Sequence, residues 1–274
     1  MNIMHRSLLA VGLLVVVAVG VAACAGDDER ARDGVAAGEQ PQRVADARVA
    51  AEPMRVLIFS RTTGFRHQSI PDGIAAVREL GEAHGFEVSA TEDPAAFDDG
   101  NLARYAAVVF MSTTGDVLDD AQKQAFERYI RGGGGFVGVH SAADTEYDWP
   151  WYGELVGAYF LSHPRIQSAR VVVEDREHIS TRHLPEAFEF TDEWYEFRRN
   201  PREHVNVLLT LDEQSYEPRN PMGEDHPIAW YREFDGGRTW YTGLGHRRET
   251  FADERFRLHL LGGIMYAARG AGAD

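Results

Sequence analysis

The chain has 274 residues, of which 44% are hydrophobic and 26% charged, a composition typical of a globular protein with one substantial core. Its 43 acidic residues outnumber 28 lysines and arginines and give a net charge of −15, which argues against a nucleic-acid-binding protein. Cys24 is the only cysteine, so an internal disulfide or a multi-cysteine metal site is excluded.

The first 53 residues have the pattern of an export signal followed by a tether. His5 and Arg6 precede an uncharged apolar run that is short for a membrane-spanning helix. The run ends in Val-Ala-Ala-Cys, which resembles a bacterial lipobox with Cys24 as the lipidated residue. We therefore expect a signal peptide over 1–23, a flexible tether over 24–53 and a cell-envelope lipoprotein held at the membrane surface. An uncleaved anchor is the alternative.

The domain that follows, residues 54–270, opens with alternating strand and helix patterns. Short apolar runs rich in β-branched residues indicate buried parallel strands, and stretches of helical periodicity lie between them. The first predicted helix ends at Gly85, and the second begins with Asp119 and Gln122, which match a capping box. Strands are predicted at 56–59, 86–88, 107–111 and 136–139. This alternation predicts an α/β fold.

The second half of the domain is richer in aromatic residues. Ile228–Phe234 and Arg238–Leu244 flank an Asp-Gly-Gly turn, which is the clearest hairpin signal in the chain. Asp253 is the expected N-cap of the last helix. The other predicted elements are a helix over Trp151–Ala158 and strands over Gln167–Glu174 and Val205–Leu209.

The stretch Arg131–Asp144 carries the strongest sign of a functional site. Four glycines end a helix, a buried strand follows, and His140 and Asp144 come directly after it. Open parallel sheets bind ligands beyond the carboxyl ends of their strands, which is where these side chains would lie. His140 can transfer a proton near neutral pH or bind a metal, and Asp144 could orient it. A structural role for His140 and a capping role for Asp144 are the alternatives.

Two further histidines follow predicted strands. His67 comes after the first strand, beside Arg66, whose guanidinium suits a carboxylate or sugar hydroxyls. His246 follows the second strand of the hairpin. Loops after parallel strands open on one edge of a sheet, so these histidines could converge with His140. His67 as an ordinary surface histidine, and Glu249 as a first-turn helix acid instead of a site residue, remain open.

Three more candidates lie among aromatic residues. His163 precedes a proline and could position either a substrate or the chain itself. Glu193 would have a raised pKa if it were buried without partners, whereas a solvated acidic turn is the alternative. Trp151 could cover the apolar face of a sugar ring or pack in the core.

A divalent metal is a further hypothesis. Imidazole and carboxylate ligands suit zinc, manganese or iron, and the candidate ligands are His67, His140 and His246. No closely spaced motif such as H-x-x-x-H supports the hypothesis, so zinc or manganese stays a possibility to test.

Five short motifs occur in an order and spacing that resemble the ThuA-like, trehalose-utilisation family over about residues 54–269. They are F-R-H at 65–67, G-V-H-S-A at 138–142, S-H-P at 162–164, D-E-W-Y at 192–195 and the hairpin segment at 227–246. The resemblance implies a flavodoxin-like, mostly parallel sheet with helices on both faces, similar to the class I glutamine amidotransferases. In those enzymes a cysteine occupies the strand-to-helix elbow, where this sequence has His140. Ser141 stands one position late for a G-x-S-x-G nucleophile, so acyl-enzyme chemistry is not expected.

The resulting hypothesis is a ThuA-like protein that acts on a carbohydrate or keto sugar as an isomerase, lyase or hydrolase. His140 would be the general acid or base, with His246 or His67 as its partner or as metal ligands. Arg66 would hold hydroxyls, and Asp144 or Glu193 would orient the histidine. The expected partners are a small carbohydrate and the membrane, and not nucleic acid. A non-catalytic sugar-binding or scaffold domain, and a metal-dependent hydrolase of other small substrates, are the alternatives.

Overall fold

The apolar runs that predicted buried strands form one half of a nine-stranded sheet. The computed structural model describes residues 53–269, so the predicted signal peptide, Cys24 and the tether up to residue 52 lie outside the described residues. The strands are β1 (Met54–Phe59), β2 (Phe86–Thr91), β3 (Ala107–Met111), β4 (Gly135–Val139), β5 (Phe160–Ser162), β6 (Gln167–Val173), β7 (Ala187–Asp192), β8 (Glu196–Phe197), β9 (Asn206–Asp212), β10 (Pro227–Phe234) and β11 (Gly237–Thr242).

The strand order of the large sheet is β2-β1-β3-β4-β11-β10-β9-β6-β7, and β5 pairs with β8 separately. The first five strands are parallel to their neighbours and follow the flavodoxin-like 2-1-3-4-5 order. From β11 onward every pairing is antiparallel. The predicted α/β class, parallel block and C-terminal hairpin are confirmed.

Helices cover both faces of the parallel block. They are α1 (Ile70–His84), α2 (Asp99–Leu102), α3 (Asp120–Arg131), α4 (Pro150–Val156) and α5 (Glu254–Ala267). Phe136 on β4 contacts ring side chains of α3 and α4, whereas Trp240 on β11 packs against α5 from the other face. Gly263 permits this approach, because a Cβ there would lie 2.3 Å from the Trp240 ring. None of the described helices is long and apolar enough to cross a membrane.

Local signals account for several helix ends. Gly85 ends α1 with φ of +78°, a left-handed conformation that favours glycine. The capping box of Asp119 and Gln122 is formed at the start of α3, and Asp253 caps α5 through the backbone N–H groups of residues 255 and 256. The segment over β7, in which the sequence showed only an acidic, aromatic stretch, is a strand paired with β6.

The antiparallel half of the sheet curls back toward the parallel half. In a flat sheet, four steps of about 4.8 Å would separate β7 from β11 by roughly 19 Å. The Asp192 carboxylate at the end of β7 nevertheless accepts a hydrogen bond of 2.9 Å from the backbone of Gly245, just after β11. Since β7 and β11 point the same way, the curl brings the residue after β7 to the edge where β1, β4 and β11 end.

Candidate metal centre

His140 stands at the elbow that follows β4 and has φ of +50°, in the sparsely populated left-handed region. Its side chain is fully buried, and Nδ1 lies 2.8 Å from the carbonyl oxygen of Gly243. A carbonyl only accepts, so Nδ1 carries the hydrogen and donates it. In the neutral ring, Nε2 therefore presents a lone pair to the centre of the site, which is the tautomer that a metal ligand needs.

His67 reaches the same point from the loop after β1. It is 4% exposed, and its Nδ1 hydrogen-bonds with Ser141 Oγ at 3.2 Å. The ring centroid lies 4.8 Å from that of His140 and 5.1 Å from that of His246. Burial, together with the neighbouring imidazoles of His140 and His246, lowers the pKa of His67 to about 2, although Glu193 acts in the opposite direction. His67 is therefore neutral at physiological pH, as a metal-binding imidazole must be.

Glu193 lies among the histidines. Its Oε2 is 3.0 Å from His246 Nδ1 and 3.4 Å from His140 Nε2. Burial alone would raise the pKa of Glu193, but hydrogen bonding and charge attraction from these two histidines outweigh it and lower the pKa below its usual range. For His246, burial lowers the pKa, and the carboxylate of Glu193 raises it by more. The carboxylate is thus ionised and attracts positive charge to this point.

The four side chains form a potential ligand set. One potential ligand atom from each of His67, His140, Glu193 and His246 lies within 4.8 Å of the others. Among residues 53–269, His140 Nε2 and His246 Nδ1 are buried and lack a hydrogen-bond partner of acceptable geometry. Because a neutral His140 would direct its Nε2 lone pair at a carboxylate oxygen 3.4 Å away, the pair requires positive charge between them, either a proton on Nε2 or a bound cation. A divalent metal bound by nitrogen and carboxylate oxygen, such as zinc, manganese or iron, meets this requirement.

Asp192 holds the loops of the centre together. Its Oδ2 accepts hydrogen bonds from the backbone N–H of Gly245 and from Thr250 Oγ1, both at 2.9 Å. Its Oδ1 accepts from the backbone N–H of Glu193 at 2.9 Å and of Arg247 at 3.2 Å. This fully buried carboxylate therefore fixes Glu193 relative to the His246 loop.

His163 lies on the outer side of Glu193. Its Nδ1 is 3.1 Å from Glu193 Oε1 and 2.9 Å from the carbonyl oxygen of Pro164. Both neighbours accept, so Nδ1 carries the hydrogen and Nε2 is the basic nitrogen. The side chain is 41% exposed, against 21% for His246, which makes His163 the histidine most open to a substrate.

Asp144 has a different partner from the one expected. Its carboxylate accepts a hydrogen bond of 2.5 Å from Tyr147, and the carbonyl of Gly243, not Asp144, orients His140. Burial raises the pKa of Asp144, against smaller lowering effects from Tyr147 and His140. Asp144 is therefore a half-buried carboxylate at the side of the centre, with a pKa shifted toward the range of a general acid or base.

Three other candidates do not join the cluster. Arg66 is about half exposed and pairs with Glu92 at 2.6 Å. Trp151 donates to Asp235 at 2.8 Å, in the turn at the amino end of β11, and so lies at the opposite edge of the sheet. Glu249 is exposed and pairs with Arg247 at 3.3 Å.

Two contributors were not identified from the sequence. The ring of Tyr195 packs 4.1 Å from that of His140 and closes one side of the centre. The carbonyl of Gly243 fixes the His140 tautomer. Tyr195 lies in the D-E-W-Y motif, which could have indicated it from the sequence. A backbone carbonyl such as that of Gly243 has no sequence signal.

The chain matches one protein family by sequence and several solved structures by fold. Residues 55–267 match the model of the ThuA family, described as trehalose utilisation. A ThuA-like protein from Bacteroides uniformis is 26% identical, with a TM-score of 0.67 over 78% of this chain and 91% of that one. A ThuA-like protein from Parabacteroides merdae shares the fold at 20% identity, with a TM-score of 0.66 over 79% of this chain and 90% of that one. No curated protein sequence matches the chain.

Proposed function

Because the chain belongs to the ThuA family, described as trehalose utilisation, we propose that it is an exported, metal-dependent enzyme that transfers protons on a carbohydrate or keto sugar. The observation that supports this most is the buried set of His67, His140, Glu193 and His246, in which ligand atoms from four loops lie within 4.8 Å. Such atoms are seldom placed together in a core without a catalytic or metal-binding role.

The chemistry follows from the donor set. A divalent metal held by these four side chains would supply a Lewis acid, which would polarise a carbonyl or hydroxyl oxygen and acidify the neighbouring C–H or O–H. Trehalose and keto sugars offer adjacent oxygens that suit a hard or borderline cation. In this proposal His67, His140, Glu193 and His246 are ligands, so His140 holds the metal instead of acting as the general base.

Two side chains beside the centre suit the proton transfer. His163 is the more exposed, and its Nε2 is free to accept a proton while Nδ1 donates toward Glu193 and Pro164. Asp144 is the second candidate because burial raises its pKa. Phe65, 64% exposed, packs edge-on to His67 at 4.9 Å and offers an apolar surface to the C–H face of a sugar.

Metal analysis of the purified full-length protein tests the proposal. We expect about one equivalent of a transition metal, lost in His140→Ala and retained in His84→Ala, whose histidine is exposed at the end of α1. Fructose is then incubated in D₂O, and solvent deuterium entering carbon next to its carbonyl is followed by NMR, with trehalose, which has no carbonyl, as the negative control. A metal-free wild type that still binds these sugars, or deuterium exchange unchanged by a chelator, would contradict the metal-dependent proposal.

The cellular location is a separate part of the proposal and rests on the pattern of residues 1–24. We expect the mature protein to begin at a lipid-modified Cys24 and to fractionate with membranes. Mass spectrometry of the amino-terminal peptide checks this, with Cys24→Ala as the control. An unmodified amino terminus in the cytoplasmic fraction would contradict it.

A further inference from the structure

A basic cavity of about 740 Å³ lies at the edge of the sheet opposite the metal centre. It is bounded by the start of β9 and β11, the end of β10, the loop after β6 and the end of α5. Four arginines line it, namely Arg182, Arg232, Arg238 and Arg269. The lining carboxylates are Glu177 and Glu233, so the lining has a net charge of +2 in a chain whose net charge is −15.

The arginines divide into an inner and an outer pair. Arg232 is 13% exposed and donates to the carbonyl oxygens of Glu154 and His204 at 2.8 and 3.0 Å. Arg238 is 5% exposed, with Nε 3.7 Å from Glu233. Arg182 and Arg269 are exposed at the rim, and no carboxylate among residues 53–269 forms an ion pair with either. The outer pair is therefore available to a ligand.

His178 adds a buried donor to the same wall. The backbone N–H of Ser180 donates to its Nδ1 at 3.1 Å, so the neutral ring carries its hydrogen on Nε2. That Nε2 is buried and has no hydrogen-bond partner in the described part of the chain. Burial, opposed by Asp175 and aided by Arg269, lowers the pKa of His178 to about 4, so the ring is neutral at physiological pH. The cavity thus combines the positive field of its arginines with a neutral imidazole in its wall.

The cavity also has an aromatic side, which suits an organic portion of the ligand. The rings of Tyr231 and Tyr266 lie 4.2 and 5.0 Å from that of His178 and form an aromatic wall in which the two tyrosine planes are 75° apart. The Asp175 carboxylate accepts a hydrogen bond of 3.2 Å from Tyr231 Oη. Its negative charge therefore reduces the positive potential of the cavity on the Tyr231 side. The volume exceeds that of a bare oxyanion and leaves room for an organic portion.

We propose that this cavity binds a phosphate ester, with the phosphate at the arginines and the organic portion along the tyrosine wall. Guanidinium groups bind phosphate oxygens through paired N–H bonds, and a dianionic phosphate balances the net charge of the lining. The site is independent of the metal centre, because the two lie at opposite edges of the sheet.

Isothermal titration of the EDTA-treated full-length protein tests the site, since removing metal prevents phosphate from binding at the histidine cluster. The probes are inorganic phosphate and glucose 6-phosphate, titrated in chloride buffer of constant ionic strength. We expect saturable binding of both, tighter for the ester, and a loss of about tenfold in affinity for Arg182→Ala and for Arg269→Ala. Arg78→Ala, an exposed arginine on α1, should leave the affinity unchanged.

Three outcomes would overturn the proposal. The first is no saturable binding of either probe by the wild type. The second is binding of inorganic phosphate with glucose 6-phosphate excluded, which would show that the cavity does not accept an ester. The third is equal weakening by Arg78→Ala and Arg182→Ala, which would reflect the general charge of the protein instead of this cavity.

Discussion

Replacing Asp192 with asparagine should destabilise the protein far more than the loss of one oxygen suggests. Both carboxylate oxygens accept from backbone N–H groups, Oδ2 from Gly245 and Oδ1 from Glu193 and Arg247. Whichever way the new amide is oriented, its NH₂ must face a buried backbone N–H. The geometry of the site therefore cannot be kept by a simple flip of the side chain.

The magnitude follows from these bonds. Leaving a buried donor unsatisfied costs about 1–3 kcal/mol, and each retained bond weakens by about 1 kcal/mol when its acceptor loses its charge. With one donor unsatisfied and two backbone bonds weakened, these give a loss of at least about 3 kcal/mol in the free energy of unfolding. Asp93→Asn is the matched control, because Asp93 is exposed and only its Oδ1 accepts, from the backbone of Ala95. An amide can replace it at a cost of a few tenths of a kcal/mol.

Urea denaturation of the metal-free variants, followed by tryptophan fluorescence, measures the difference without a contribution from metal binding. With a slope of about 2–3 kcal/mol/M, the midpoint for Asp192→Asn should fall by roughly 1 M relative to Asp93→Asn. Metal affinity should fall as well, since Asp192 fixes Glu193. If the two variants unfold within about 0.5 kcal/mol of each other, the backbone bonds to Asp192 do not hold this edge together, and the reasoning is refuted.

Three further predictions concern the metal, acid stability and the substrate. Chelation should lower the free energy of unfolding, measured by urea titration, by about 2.7 kcal/mol relative to protein in a metal concentration one hundred times the Kd for that metal. An unchanged free energy of unfolding would contradict a metal site. His259 is fully buried with its pKa lowered to about 3, so below pH 6.5 the unfolded chain binds a proton that the folded chain excludes. As the pH falls from 7 to 5, this residue therefore lowers the free energy of unfolding by about 2 kcal/mol. His259→Leu should remove that part of the dependence of the unfolding free energy on pH. An unchanged pH dependence in the variant would contradict the prediction. Phe65→Ala should raise KM for the sugar about two- to tenfold with little change in kcat. Phe234→Ala, at the opposite edge of the sheet, should leave KM unchanged. A change in kcat without a change in KM for Phe65→Ala would contradict a binding role.

Much of the fold could be predicted because its signals are local. The capping box at Asp119, the stop at Gly85 and the hairpin around Asp235 depend on residues close together in sequence. The convergence of His67, His140 and His246 could also be predicted, since loops after parallel strands open on one edge.

What could not be predicted depends on distant contacts. Strand β7 was missed because it ends in Asp192, whose burial depends on hydrogen bonds from Gly245, Arg247 and Thr250, all more than fifty residues away in sequence. Glu193 was proposed as a site residue, but its contact with His140 requires the curl of the antiparallel half, which no local pattern encodes. Trp151 lies away from the histidine cluster because the direction of α4 relative to the sheet decides which edge its side chain reaches.

The curl also makes the candidate metal centre a reporter of assembly. His67, His140 and His246 follow strands of the parallel block, whereas Glu193 follows β7, the edge strand of the antiparallel half. A folding intermediate with only one half formed therefore holds an incomplete donor set. Tight metal capture should then appear late in refolding, at the step when the two halves close, and bound metal would in turn oppose their local separation.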